Sequence, residues 1–135
     1  LRGVHCCGNT DWSLLLETPI DILNFDAYNY AESLSLYPDQ VRAFLDRGGI
    51  IAWGIVPNEE KGIEAETAES LASRLDEAMG LLVRKGISRD LLSKRCLITP
   101  SCGLGGLSPA LAGRALQLAA SLSSTLRARF GGDEA

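Results

Sequence analysis

His5 and Cys7 stand two residues apart in the opening segment Val4-His5-Cys6-Cys7-Gly8. In extended chain this spacing puts both side chains on one face and Cys6 on the other. A thiolate and an imidazole so placed can chelate one ion. A second thiol, Cys102, lies in Pro100-Ser101-Cys102-Gly103, and a carboxylate, Asp26, closes the run Ile20-Asp21-Ile22-Leu23-Asn24-Phe25-Asp26. Cys sulfur, His nitrogen and carboxylate oxygen are donors that zinc accepts, usually four at a time in a tetrahedron. His5, Cys7, Asp26 and Cys102 are therefore candidate zinc ligands. A catalytic site must also admit its substrate, and the carboxylate is the weaker partner for a borderline-soft ion. Asp26 is thus the ligand expected to yield.

Each of these residues has a plainer reading. A lone histidine at a strand end is more often a hydrogen-bonded core or loop residue than a ligand. Asp26 can simply cap the turn that follows it. Cys96, inside Arg95-Cys96-Leu97-Ile98-Thr99, reads as a small buried hydrophobe, and Cys6 reads the same way. A disulfide between the vicinal Cys6 and Cys7 would be strained. The glycine-rich stretch Gly103–Gly106 lacks both the Walker lysine and the GxGxxG order, so it is a weak phosphate signal. Trp53 reads as core or barrel lining. Tyr30 stays open between core and site. Asn58 and Glu59 follow a strand end and are candidate substrate contacts. The metal reading gains from coincidence: His, two Cys and Asp all fall at the ends of expected strands, on the same side.

Four apolar runs are the expected strands: Arg2–His5, Ile20–Asp26, Gly49–Val56 and Arg95–Thr99. They are apolar almost throughout, as parallel strands buried on both faces should be. Helical signals alternate with them. Asp11 can cap Trp12–Glu17. Pro38 opens a helix to about Arg47, which Gly48-Gly49 stops. Leu71, Leu75, Met79 and Leu82 form one apolar stripe within a helix from about Ala65 to Lys85, with Gly86 as its C-cap. Ser108 and Pro109 start the last helix, whose stripe is Leu111, Ala115, Leu118, Leu122 and Leu126. The order is βα repeated about four times. It demands a parallel sheet with right-handed crossovers. A complete (βα)8 barrel takes about 250 residues, and 135 residues are roughly half of that. The expected fold is α/β, half of a TIM barrel over residues 1–130, with residues 131–135 as a flexible tail. Strands at both edges would be open, so the piece should self-associate or pair with a missing N-terminal barrel half. Active sites in such folds collect at the C-terminal ends of the strands, where the candidate ligands lie.

The bulk composition narrows the function classes. Thirteen basic residues against 17 acidic ones give a net charge of −4. That balance argues against general nucleic-acid binding, which favours a basic stripe. Apolar runs fall short of the ~18–20 residues that span a bilayer. A cytoplasmic location is expected, where four cysteines near a histidine suggest metal or nucleophile chemistry rather than disulfides.

At these residues the sequence resembles a known superfamily. The segments VHCCGNTD, DILNFDAY, IIAWGIVP and LITPSCGLGG look like the C-terminal, zinc-binding barrel region of cobalamin-independent methionine synthase. They also resemble the related uroporphyrinogen decarboxylase and corrinoid methyltransferase barrels. The resemblance covers nearly the whole chain and is most specific at His5-x-Cys7 and around Cys102. It implies zinc held by His5, Cys7, Asp26 and Cys102, Asp26 standing where that family has Glu. It implies methyl transfer to homocysteine or a similar small-molecule thiol, in methionine biosynthesis and one-carbon metabolism. The donor implied is methyltetrahydrofolate. The run CGNT looks more like the corrinoid-dependent branch, which would make methylcobalamin the donor. A third possibility is a non-catalytic half-barrel that serves metal binding or assembly. Activity is expected of an intact parent protein and not of this piece alone.

Overall fold

Ile, Val, Leu and Trp concentrate in four short runs, and each becomes a strand in the computed structural model, which describes residues 1–131. The strands are β1 (Gly3–Cys6), β2 (Ile22–Phe25), β3 (Ile50–Val56) and β4 (Cys96–Pro100). They form one parallel sheet in the order β1-β2-β3-β4. Helices α1 (Trp12–Leu16), α2 (Pro38–Asp46), α3 (Glu60–Ala65), α4 (Ala68–Arg84), α5 (Arg89–Lys94) and α6 (Pro109–Phe130) alternate with the strands, and a 3₁₀ turn covers Ser33–Leu36. The fold is the expected α/β arrangement with an all-parallel sheet that does not close, consistent with half of a barrel. The expected tail falls largely on residues 132–135, outside the described residues.

Sequential order makes every right-handed crossover put its helix on the same face of the sheet. Burial follows that geometry and corrects one expectation. Only β3 is buried along nearly its whole length. In β2, Leu23 and Phe25 are fully buried while Ile22 and Asn24 are half-exposed, and in β1 the residues His5 and Gly3 are exposed. Leu97 of β4 is 46% exposed. The strands thus have one face packed under helices and one concave face open, because one layer of helices can cover only one side. The covered face holds an aromatic row. Trp12 meets Phe25 edge-on at 5.8 Å, and Phe25 meets Trp53 at 5.3 Å. From the helices come Val41, Phe44, Leu71, Leu75, Met79, Leu82, Leu118 and Leu122.

Local caps behave as their chemistry dictates. Asp11 accepts from the Ser13 amide at the start of α1, and Ser108 accepts from Leu111 at the start of α6. Gly86 stops α4 with φ of 95°, a left-handed conformation open to glycine at little steric cost. The helix expected from Ala65 to Lys85 starts later, and α3 precedes it. Glu66 is extended, and Thr67 and Ser70 form a reciprocal capping box that restarts the chain as α4.

The break has a second support. The Glu66 carboxylate is buried and accepts from Tyr28 Oη at 3.0 Å, Arg74 Nε at 2.8 Å and Ser70 Oγ. Arg74 also lies over the Tyr28 ring, 4.7 Å from its centroid. Burial alone would raise the Glu66 pKa, but the bonds from Ser70 and Tyr28 and the Arg74 charge outweigh it and hold the carboxyl below its usual range. A folded pKa below the unfolded one means stability that is present above the unfolded value. It is lost as pH falls through that value, about 4.3, toward the folded one. Glu66→Gln should therefore cost about 1.5–3 kcal/mol at neutral pH. The difference from the unaltered chain should shrink in acid, as measured by urea melts across pH. An equal loss at all pH values would assign Glu66 a purely packing role.

Candidate metal centre

β1 and β4 are the two edges of the sheet, yet side chains at and just beyond their C-terminal ends come together. Three strand spacings would separate them by about 14 Å in a flat sheet. The ligand atoms of His5, Cys7 and Cys102 all lie within 4.8 Å of one another. The Asn24 side chain of β2 reaches Thr99 Oγ1 of β4 at 2.8 Å across β3, so the sheet is concave on this side, and small residues on β3 leave room there. Ala52 and Gly54 alternate with the covered Ile51, Trp53 and Ile55, so they sit on the concave side. A Cβ at Gly54 would lie 2.5 Å from the Phe25 carbonyl oxygen of β2 and 3.0 Å from that of Pro100 in β4. The neighbouring backbones close in there on space that only glycine leaves.

The three donors come from distinct local structures. His5 belongs to β1 and Cys7 follows it directly. The pair shares a face, as their spacing requires. Cys102 sits in the loop after β4, two residues beyond Pro100. That loop is held by Asn58, which follows β3. Asn58 Oδ1 accepts from Ser101 Oγ at 3.2 Å, and Asn58 Nδ2 donates to the Gly103 carbonyl at 3.3 Å. Asn58 therefore grips both neighbours of Cys102. Glu59 is exposed at the start of α3 and makes no capping hydrogen bond.

Protonation is divided unequally among the donors. The hydrogen bond between His5 and Cys102 holds the Cys102 thiol below its usual range, helped by the Gly103 backbone and by Cys7. The hydrogen bond to Cys102, with the charge of that neighbour, pushes Cys7 up. Two thiols this close titrate as a pair. Partial burial alone would lower the His5 pKa, but hydrogen bonds with Cys102 and Asn24 outweigh it and raise it. The three donors thus pull one another's titrations in opposite directions, with Cys102 the readier to ionise and Cys7 the less ready. A cation bound through both sulfurs would displace the thiol protons that remain.

Comparison with protein-family models, with curated proteins and with solved structures finds no match for this chain. The donor types speak for themselves. One imidazole and two thiolates make a soft-to-borderline set that could hold a metal ion.

Asp26, expected as a fourth ligand, is not brought into this group. It is 7% exposed, and its two carboxylate oxygens accept from the Asn29 backbone N–H at 2.9 Å and from Asn29 Nδ2 at 2.8 Å. Here it caps its own turn, the plainer of its two readings. Cys6 and Cys96 pack against the hydrophobic core, and burial pushes the Cys96 thiol up to about 12. All four cysteines are free thiols. Trp53 is fully buried in the core.

Asn24 has no counterpart among the expected site residues. It lies in β2, in register with His5, and its Oδ1 is 2.6 Å from His5 Nδ1. A polar residue in the otherwise apolar Ile22-Leu23-Asn24-Phe25, two positions before Asp26, was the available signal. Asn58 was expected to touch substrate; the structure gives it the Cys102 loop to hold.

Proposed function

We propose that this chain carries the zinc centre of a thiol methyltransferase resembling cobalamin-independent methionine synthase. His5, Cys7 and Cys102 are the protein ligands in this reading. The observation that carries it is the convergence of these three donors at the C-terminal ends of opposite sheet edges, all within 4.8 Å. Three protein ligands with a fourth position open is the pattern of catalytic zinc, whereas structural sites are closed by four. Asp26, engaged with Asn29, leaves that position to the acceptor thiol.

Zinc bound there would stabilise the acceptor as a thiolate at a pH below the ordinary thiol value of about 8.5. The chain's own residues do the rest. Cys7 and Cys102 bring two negative charges that match a dication, so an acceptor thiolate sharing the site keeps its charge for attack on a methyl group. The curved sheet directs the three donors toward its concave side. The unpaired edges of β1 and β4 are where the partner half of a barrel would join, and to that half we assign the methyl donor's site. The donor is a methylated folate; the run Cys7-Gly8-Asn9-Thr10 supports a second reading in which it is a methylcorrinoid. Among the described residues no helix is long and apolar enough to cross a membrane.

The test is elemental analysis followed by assay. The purified chain should hold about one zinc. A longer protein containing it should methylate homocysteine from methyltetrahydrofolate, or from methylcobalamin in the second reading. Absence of zinc from both proteins would overturn the proposal, and zinc without methyl transfer from either donor would reduce it to a binding module.

A further inference from the structure

We propose that Asn24 is a positioning residue that keeps the proton of neutral His5 on Nδ1 and so makes Nε2 the metal-binding nitrogen. The inference rests on the metal reading above only for its second half. Its first half concerns the metal-free chain.

The orientation of Asn24 is fixed from behind. Its Nδ2 lies 2.9 Å from the Ala52 carbonyl oxygen, an atom that can only accept. The atom facing Ala52 is therefore the amide nitrogen. Its second proton goes to Thr99 Oγ1 at 2.8 Å, and Thr99 donates in turn to the Pro100 carbonyl at 2.9 Å. With both amide protons committed, Oδ1 is the atom that meets His5, and it too can only accept. Nδ1 of His5 must then be the donor across the 2.6 Å contact. That leaves Nε2 for the cysteine side, where a neutral imidazole offers its lone pair. The row runs from His5 on β1 through Asn24 on β2 and Ala52 on β3 to Thr99 on β4. A relay that touches all four strands ties ligand orientation to the curvature of the sheet. Partners of this kind, one bond removed from a metal, orient the ring and strengthen its binding.

One property makes the test direct: His5 is the sole histidine of the chain. Nitrogen NMR of the isotope-labelled, metal-free chain, at a pH above the imidazole's titration, should show a protonated Nδ1 and an unprotonated Nε2. Asn24→Leu removes the acceptor at similar volume and should shift the imidazole toward the Nε2-protonated form. It should also weaken zinc binding by about 10–100-fold. Asn24→Asp keeps an acceptor and should retain the Nδ1-protonated form. NMR-active cadmium, used as the probe metal, should couple to Nε2 and not to Nδ1. An Nε2-protonated imidazole in the unaltered chain overturns the proposal without need of any variant. So does coupling through Nδ1, or an Asn24→Leu protein that folds by circular dichroism and keeps full zinc affinity. If the unaltered chain binds neither metal, the zinc reading fails, and the metal-free tautomer still decides the role of Asn24.

Discussion

Replacing Cys102 by Ser should lower the zinc affinity of this chain by more than about 100-fold while leaving its fold intact. Loss of a group one bond removed from a metal costs about 10–100-fold, and loss of a direct thiolate ligand must exceed that. A serine hydroxyl does not ionise near neutral pH and is a poor partner for a borderline-soft ion. Folding should survive because Cys102 lies in a loop, half-exposed, outside the hydrophobic core. Asn58 can still hold Ser101 and Gly103. The comparison variant is Cys96→Ser. It puts a hydroxyl against the core, where the thiol now packs, and should lower stability while leaving zinc affinity unchanged. Competition titration against a chromophoric chelator measures both. The same titration across pH carries a sign. Cys7 is held above its usual range, so binding a metal through its thiolate releases a proton. Affinity of the unaltered chain should therefore rise with pH up to the Cys7 titration and level off above it. Equal affinity in Cys102→Ser and the unaltered chain would remove Cys102 from the ligand set.

Trp53→Ala should cost about 3–5 kcal/mol, the range for truncating a large aromatic in a packed core. Trp53 is fully buried on the helix-covered face of β3 and stacks edge-on against Phe25, which stacks in turn on Trp12. Its removal opens a cavity at the end of that row, beside Phe25. For a chain of this size the melting temperature should fall by roughly 10–20 °C. Zinc at a hundredfold excess over Kd should not fully restore it. A hundredfold excess over Kd stabilises a folded state by only about 2.7 kcal/mol, less than the expected loss. Trp53→Phe keeps most of the ring and should cost much less. Chemical denaturation with and without zinc separates these terms. A loss below about 1 kcal/mol for Trp53→Ala, the level of an ordinary surface change, would mean that the row is not a packed core.

Short-range chemistry made much of the fold legible. The runs at Ile50–Val56 and Cys96–Pro100 are apolar enough to read as buried strands, and Asp11, Pro38, Ser108 and Gly86 mark helix ends by rules that need only neighbouring residues. The same reading merged the region before α4 into one helix. The Thr67–Ser70 box and the bonds to Glu66 work partly through Tyr28, 38 residues away from Glu66 in sequence. It also covered both faces of every strand, because an apolar run does not say whether a second layer of residues lies within the same chain.

Two of the donors follow from local spacing alone. His5 and Cys7 share a face because extended chain alternates its side chains, and that holds whatever the rest of the molecule does. Which other residues join them depends on how distant segments pack. Cys102 does, because the loop after β4 reaches over the concave side of the sheet, where Ala52 and Gly54 leave room. Asp26 does not, because Asn29 is near enough in sequence to take both its oxygens. Asn24 becomes His5's partner because parallel register sets the two side by side. Curvature and register are sums over many weak contacts between distant segments, and no local spacing encodes them.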